Sequence, residues 1–299
     1  MHFTKRKLLI WLFNLILLII MMIILYNIFS LQNTKRSEGF TKNKKGLLVL
    51  FGESFREGNQ NTRLRDTKNS IEPQKSASKS HVDFCNYIKE NYDIQMDIVI
   101  NTYDTKYENE LKGWYGNYLL KYMSNPELIG PKIAQDAIDN VANIQDYDFV
   151  FITRVDIYIK PHYYKIFNPE WDKIYFISQC WTITGCGFLE NSDINYPRVN
   201  PTFEYFPKKY FRVLKNIDVV SHESWKHYID TFQLTTNDLD FMVDYYHDSD
   251  SYKDFNPYYK MAGRKENNVW HDRGKKIDRS IFGTKTPITC KPLKPNNMD

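Results

Sequence analysis

Cysteine is scarce, with four in 299 residues, and that excludes a small fold stapled by disulfides. Cys180 and Cys186 stand six apart with no second pair at zinc-ligand spacing, so a zinc ribbon is excluded too. Glycine and proline number only 12 each, too few for a collagen-like or linker-type chain. There is no acceptable Asn-x-Ser/Thr acceptor, because Asn200-Pro201-Thr202 is blocked by its proline; that weighs against heavy glycosylation in a lumen. No internal repeat is visible. A basic surplus is also missing where it would matter. The net charge of +4 is concentrated in residues 1–45, which hold eight Lys/Arg against the single acid Glu38. The remaining residues hold 32 bases and 35 acids. A nucleic-acid binder needs a basic footprint on its folded part, so no nucleic acid is expected as a partner.

What is present begins with Leu8–Leu31, 24 residues without a charge. As a helix this run is roughly 36 Å long at the usual rise per residue, enough to cross a bilayer with some tilt. It is too long for the apolar part of a cleaved signal peptide, and Asn27-Ile28-Phe29-Ser30-Leu31 makes a poor cleavage exit. A retained signal anchor is therefore expected. Basic residues flank both sides: Lys5, Arg6 and Lys7 before it, and Lys35, Arg36, Lys42, Lys44 and Lys45 after it. Counting them alone favours a cytosolic C-side. The seven-residue N-side flank and the large domain that follows favour the opposite, type II orientation, at the Golgi, the ER, or a host or viral membrane. The expected organisation is a short basic tail over 1–7, the anchor over 8–31, a basic stalk over 32–45, a catalytic domain over 46–286 and a loose tail over 287–299.

From Gly46 the pattern turns globular. Gly46–Phe51 is a short apolar run ended by Gly52, as expected of a strand buried on both faces. Asn59–Lys79 reads as a long polar loop, with Ser80 capping a helix through Asn91. Ile94–Ile100 reads as a second strand, and Pro131–Gln145 as a helix opened by its proline. Phe149–Ile152 and Lys173–Ile177 read as third and fourth strands, with helices favoured from Pro207 onward. Strands alternating with helical patterns predict an α/β domain with a mostly parallel sheet flanked by helices. Ligands of such sheets bind beyond the carboxyl ends of the strands. Attention therefore falls on Gly52-Glu53-Ser54-Phe55-Arg56, Asn101-Thr102-Tyr103-Asp104-Thr105 and Thr153-Arg154-Val155-Asp156.

Alternation at a strand end puts Arg154 and Asp156 on one side. Such a pair can grip a metal-bound diphosphate, the carboxylate on a hard cation and the guanidinium on phosphate oxygens. It equally describes an ion pair at a sheet edge. Gly52 lets backbone approach a ligand, Ser54 offers a hydroxyl and Arg56 a charge; an ordinary turn has the same makeup. Thr102 and Asp104 can bond a base or ribose, or cap a turn. His247-Asp248-Ser249-Asp250-Ser251 places two carboxylates and an imidazole within four residues, suited to a late metal ligand or a general base, or to a solvated loop. Trp114, Trp181 and Trp270 have faces that suit pyranose rings, though tryptophans more often lie in cores. Cys180–Cys186 and Cys85–Cys290 can pair in an oxidising compartment, or all four can stay reduced.

A short apolar strand closing on an acidic-x-acidic triplet marks GT-A-type glycosyltransferases, and this chain resembles a group of such enzymes from large DNA viruses and related microbes. The resemblance rests on Leu48–Arg56 (LVLFGESFR), Ile100–Thr105 (INTYDT), Tyr147–Pro161 (YDFVFITRVDIYIKP), His247–Pro257 (HDSDSYKDFNP) and Arg264–Gly274 (RKENNVWHDRG). It implies a GT-A-like nucleotide-diphospho-sugar transferase fold behind one transmembrane helix, a nucleotide-sugar donor, and a glycan, protein or lipid acceptor. It implies Mn2+ or Mg2+ on Asp156 with His247 as a further ligand. The donor would be held by Gly52, Ser54, Arg56, Thr102, Asp104, Arg154 and Trp181, and Asp250 or Asp248 would be the base. Arg154 stands where the family has an acid, and a guanidinium there can neutralise a diphosphate by itself. Loss of catalysis on the same scaffold would leave a membrane-tethered binding or structural protein. A two-metal phosphatase or nuclease on the HDSDS carboxylates is a weaker alternative.

Overall fold

The computed structural model describes residues 14–15, 17–22, 44–58, 64–125, 127, 130–181, 188–189, 193–219, 221–243, 246–248, 258–263 and 279–286. The chain divides into two compact units, Met1–Lys44 and Lys45–Asp299. In the first unit, residues 14–15 and 17–22 are helical and exposed. The rest of the expected anchor over Leu8–Leu31 lies outside the described residues. Among the described residues, no helix is long and apolar enough to cross a membrane.

The second unit is α/β. Its strands are β1 (Lys45–Gly52), β2 (Arg56–Glu57), β3 (Leu64–Arg65), β4 (Gln95–Thr102), β5 (Leu119–Ser124), β6 (Phe149–Arg154), β7 (Ile157–Ile159), β8 (Ile174–Trp181), β9 (Val199–Pro207), β10 (Leu239–Phe241), β11 (Tyr246–Asp248) and β12 (Tyr259–Met261). Its helices are α1 (Ile71–Tyr92), α2 (Glu108–Tyr115), α3 (Pro131–Asp139), α4 (Pro161–Tyr164) and α5 (Ser224–Phe232). The main sheet runs β10-β8-β9-β6-β1-β4-β5, with β11 extending the β8 edge beyond β10. β1, β4, β5 and β6 are mutually parallel; β9 runs antiparallel between β6 and β8. β1 is central because Gly46–Phe51 is buried throughout, which only a strand covered on both faces allows.

Alternate residues of the strands feed two cores. One face carries Leu47, Val49, Val150, Ile152 and Phe206, covered by α3, α5 and the 3₁₀ turn Lys208–Lys215. The other is aromatic: Phe84 of α1 meets Phe151, Tyr163 and Phe167 at centroid distances of 5.6, 5.7 and 5.0 Å. Such pairs stabilise by about 1 kcal/mol each beyond the area they bury.

Three elements differ from the sequence reading. α1 begins at Ile71, inside the expected loop, and Ser80 lies mid-helix instead of capping it. The physical reason is that the buried stripe of α1 includes Gln74, Ser78, Ser80 and His81, whose polarity hides the helical period. Thr67 supplies the real entry, its hydroxyl accepting from the Ser70 N–H at 3.2 Å. α3 starts at Pro131 as expected but stops at Asp139, followed by the 3₁₀ turn Ile144–Asp146. The stretch after Pro207 contains strands as well as helices. The expected tail over 287–299 and stalk residues 32–43 lie outside the described residues, and the last stalk residue, Lys45, opens β1.

Candidate functional site

The carboxyl ends of β1, β4 and β6 lie side by side, since β1 pairs with both neighbours in parallel register. The three segments singled out by the sequence therefore meet. β1 leaves the sheet at Gly52, whose φ of +95° is a glycine conformation. Phe55 also takes a positive φ of 51° and is held there by its surroundings. Its ring packs on Tyr107 and Trp114, at centroid distances of 5.0 and 5.7 Å. Its N–H donates to the Gln74 side-chain oxygen at 3.0 Å, and its carbonyl accepts from the Asp66 N–H at 3.0 Å.

Thr102 and Ser54 are buried and spent on each other. The Thr102 hydroxyl donates to the Gly52 carbonyl at 2.7 Å and accepts from the Ser54 N–H at 3.3 Å; the two hydroxyl oxygens lie 3.1 Å apart. These contacts clasp the β1 exit to the β4 exit. Asp104 is exposed, and its carboxylate accepts from the Ser124 hydroxyl. Beside it, the Arg65 guanidinium sits 5.3 Å over the ring of Tyr103.

At the β6 exit Arg154 and Asp156 do lie on one side, and they form a two-pronged pair. Arg154 Nε donates to Oδ1 at 2.7 Å, and Nη2 donates to Oδ2 at 2.6 Å. Arg56 Nη1 lies 3.9 Å from the same Oδ2 and 3.6 Å from Glu53 Oε2. Asp156 is 1% exposed, as is Arg56, while the Arg154 side chain is 28% exposed. Burial opposes the charge of Arg154, but the Asp156 carboxylate outweighs it and raises the guanidinium above its ordinary value.

The turn is fixed from below. Gln74 donates to the Val155 carbonyl at 2.9 Å, and the Asp156 carbonyl accepts from the Ala262 N–H at 2.7 Å. Gly263 has a φ of +71°, and a Cβ there would stand 1.8 Å from the Arg56 carbonyl oxygen, so only glycine fits. His81 lies behind the turn, its Nδ1 2.9 Å from the Tyr115 hydroxyl. Burial lowers its pKa to about 4, against the pull of the Ile157 carbonyl and the Asp156 charge, so it is neutral near pH 7.

The expected metal was assigned to Asp156 and His247. Each Asp156 oxygen accepts an N–H of Arg154, a second guanidinium stands beside them and the carboxylate is buried, so a hard cation there would meet two fixed positive groups, a poor fit for this donor set. Among the described residues no cluster of three or more His, Cys, Asp or Glu is placed to hold a metal ion. β11 runs beside β8 and sets the backbone of His247 opposite Cys180 and that of Asp248 opposite Trp181. Asp250 and Trp270 lie outside the described residues, as do Cys186 and Cys290. Cys85 is a buried free thiol whose pKa burial pushes up, and Cys180 is buried on β8.

Sequence reasoning missed Gln74, Arg65 and Gly263. Gln74 lay in the stretch taken for loop.

The chain matches no protein-family profile and no curated protein. Several solved structures are similar. A protein described as a nucleotide-diphospho-sugar transferase from Desulfovibrio desulfuricans G20 is 14% identical, with 68% of this chain and 80% of that one covered and a TM-score of 0.40. Residues 1–349 of TarS from S. aureus are 14% identical, with 73% and 60% covered and a TM-score of 0.38. A glycosyltransferase involved in glycosylating the major capsid of PBCV-1 is 10% identical, with 69% and 82% covered and a TM-score of 0.32. At such identities and scores these likenesses add nothing to the chemistry of the site, which stands on its own geometry.

Proposed function

We propose that the chain is a glycosyltransferase that moves a sugar from a nucleotide-sugar donor to a hydroxyl acceptor, held at a membrane by the uncharged run Leu8–Leu31. The observation that carries this reading is the meeting of Gly52, Arg56, Arg154 and Asp156 at the carboxyl ends of adjacent parallel strands, where α/β sheets bind their ligands. Three of the five motifs of the resemblance, Leu48–Arg56, Ile100–Thr105 and Tyr147–Pro161, fall on the exits of β1, β4 and β6.

The chemistry follows from the charges. The acceptor oxygen attacks the anomeric carbon as the bond from that carbon to the donor phosphate breaks. The bonding pair leaves with the nucleoside diphosphate, and Arg154 is the guanidinium placed to meet the charge that builds there. The acceptor proton passes to a carboxylate in an inverting reaction, the role assigned to Asp250 or Asp248. Gly52 leaves the backbone open to close approach: a Cβ there would meet nothing within 4 Å. For the membrane, the support is the uncharged run itself and the exposure of Leu15, Leu17, Leu18, Ile19, Ile20, Met21 and Met22, between 40 and 58%.

The test is a panel of nucleotide sugars incubated with the full chain in detergent, read by release of nucleoside diphosphate with and without candidate acceptors. One donor should turn over, and Arg154→Met should abolish that turnover. Donor binding without turnover would favour the tethered binding protein. Neither binding nor turnover for any donor would sink the reading.

A further inference from the structure

We infer that this site holds the diphosphate of its donor through guanidinium groups alone, with no divalent cation; the inference rests on the nucleotide-sugar reading above. A cation bridging a carboxylate and a diphosphate needs a carboxylate oxygen with a free lone pair facing the ligand. Asp156 is poorly placed to supply one: each oxygen already accepts one N–H of Arg154, Arg56 lies 3.9 Å from one of them, and the side chain is 1% exposed, so the lone pairs left over face the interior. Placing a doubly charged ion there would also bring it against two fixed positive groups.

The pair has the opposite polarity of use. A guanidinium carries five N–H donors in one plane. Asp156 takes two, on Nε and Nη2, and fixes the plane. The remaining three have no protein partner among the described residues, and they belong to the one member of the cluster with substantial exposure, 28%. A planar fork already held in orientation loses little freedom when it meets phosphate oxygens. Asp156 is thus a positioning residue, and Arg154 is the group that touches the anion. Arg56, buried behind Asp156 and bonded toward Glu53, adds positive potential from the β1 side.

The experiment is calorimetric titration of the full chain in detergent with UDP, GDP, CDP and ADP, each in excess EDTA and again in excess MnCl2. The expected result is one diphosphate whose Kd differs by less than about threefold between the two buffers, a difference of well under 1 kcal/mol. Arg154→Met should weaken that binding in EDTA by about tenfold or more, the loss expected for a charge-assisted contact. The corresponding monophosphate should lose little from the same substitution. Binding that tightens tenfold or more with Mn2+ and vanishes in EDTA would overturn the inference and leave the nucleotide-sugar reading standing. Unchanged affinity in a folded Arg154→Met would overturn it as well. No binding of any diphosphate in either buffer would overturn both. If Arg154→Met fails to fold, the two buffers compared on the unaltered chain decide.

Discussion

The side-chain amide of Gln74 donates to the main-chain carbonyl of Val155 at 2.9 Å across 81 residues of sequence. Its oxygen accepts from the Phe55 N–H at 3.0 Å, so one buried side chain ties the β1 exit to the β6 exit. Gln74→Leu keeps the volume and leaves a buried N–H and a buried C=O unsatisfied. The expected cost is about 2–4 kcal/mol of unfolding free energy, from two such orphaned groups. Urea denaturation checks it, and a cost within error of zero would show that the two exits do not depend on this bridge. Nucleotide affinity should fall in step, because Phe55 precedes Arg56 and Val155 separates Arg154 from Asp156.

Asp156→Asn should destabilise the fold by about 3–5 kcal/mol, since it removes the carboxylate that pairs with Arg154 at 2.6 Å and leaves Arg56 the carboxylate of Glu53 at 3.6 Å. A surface metal ligand would behave otherwise, losing activity with the thermal midpoint held. Scanning calorimetry separates the two, and an unchanged midpoint would remove Asp156 from its structural role.

His81 gives a pH signature. Its pKa in the fold is lowered from 6.5 to about 4 by burial. The unfolded chain therefore binds a proton that the fold refuses, and the stabilisation present above pH 6.5 is lost as pH falls toward 4. The full shift corresponds to roughly 3 kcal/mol. His81→Gln should flatten the acid limb of a plot of unfolding free energy against pH; an identical slope between pH 6.5 and 4 would assign acid sensitivity elsewhere.

Glu204 works in the opposite direction. It is fully buried on β9, accepts from the Tyr228 hydroxyl at 2.9 Å, and its other oxygen has no hydrogen-bond partner among the described residues. Burial raises its pKa well above 4.5, offset in part by Tyr228 and supported by the charge of Asp218. Its stabilising contribution is complete below pH 4.5 and drains away as pH rises. Glu204→Gln mimics the protonated acid, so it should match the parent at pH 4.5 and exceed its thermal midpoint at pH 8. Equal or lower midpoints at pH 8 would contradict the neutral carboxyl.

The parts legible in the sequence were those where one physical signal dominates. β1, β4 and β6 are apolar runs because they are covered on both faces, and their order located the strand exits correctly. The shared side of Arg154 and Asp156 is what strand alternation predicts, although Asp156 stands in the turn just past the end of β6. Whether that carboxylate serves a cation or a guanidinium depends on what surrounds it in space, and spacing cannot express that. α1 escaped for a related reason: Gln74, Ser80 and His81 face inward to bond backbone and side chains from far along the chain, so its inner face does not read as apolar. β9 carries Asn200, Pro201, Thr202 and Glu204 within nine residues, a composition that hides a central strand.

The reversed strand at the middle of the sheet sets the order in which the domain can be completed. β6 and β8 both emerge from the ribosome before β9, yet they never bond each other; β9 must enter the slot between them from the opposite direction. A nascent chain halted before Val199 therefore displays two raw edges facing a vacant lane, the arrangement most open to wrong pairing and proteolysis. Closure of that lane carries the Glu204 carboxyl into the interior, where burial opposes its charge.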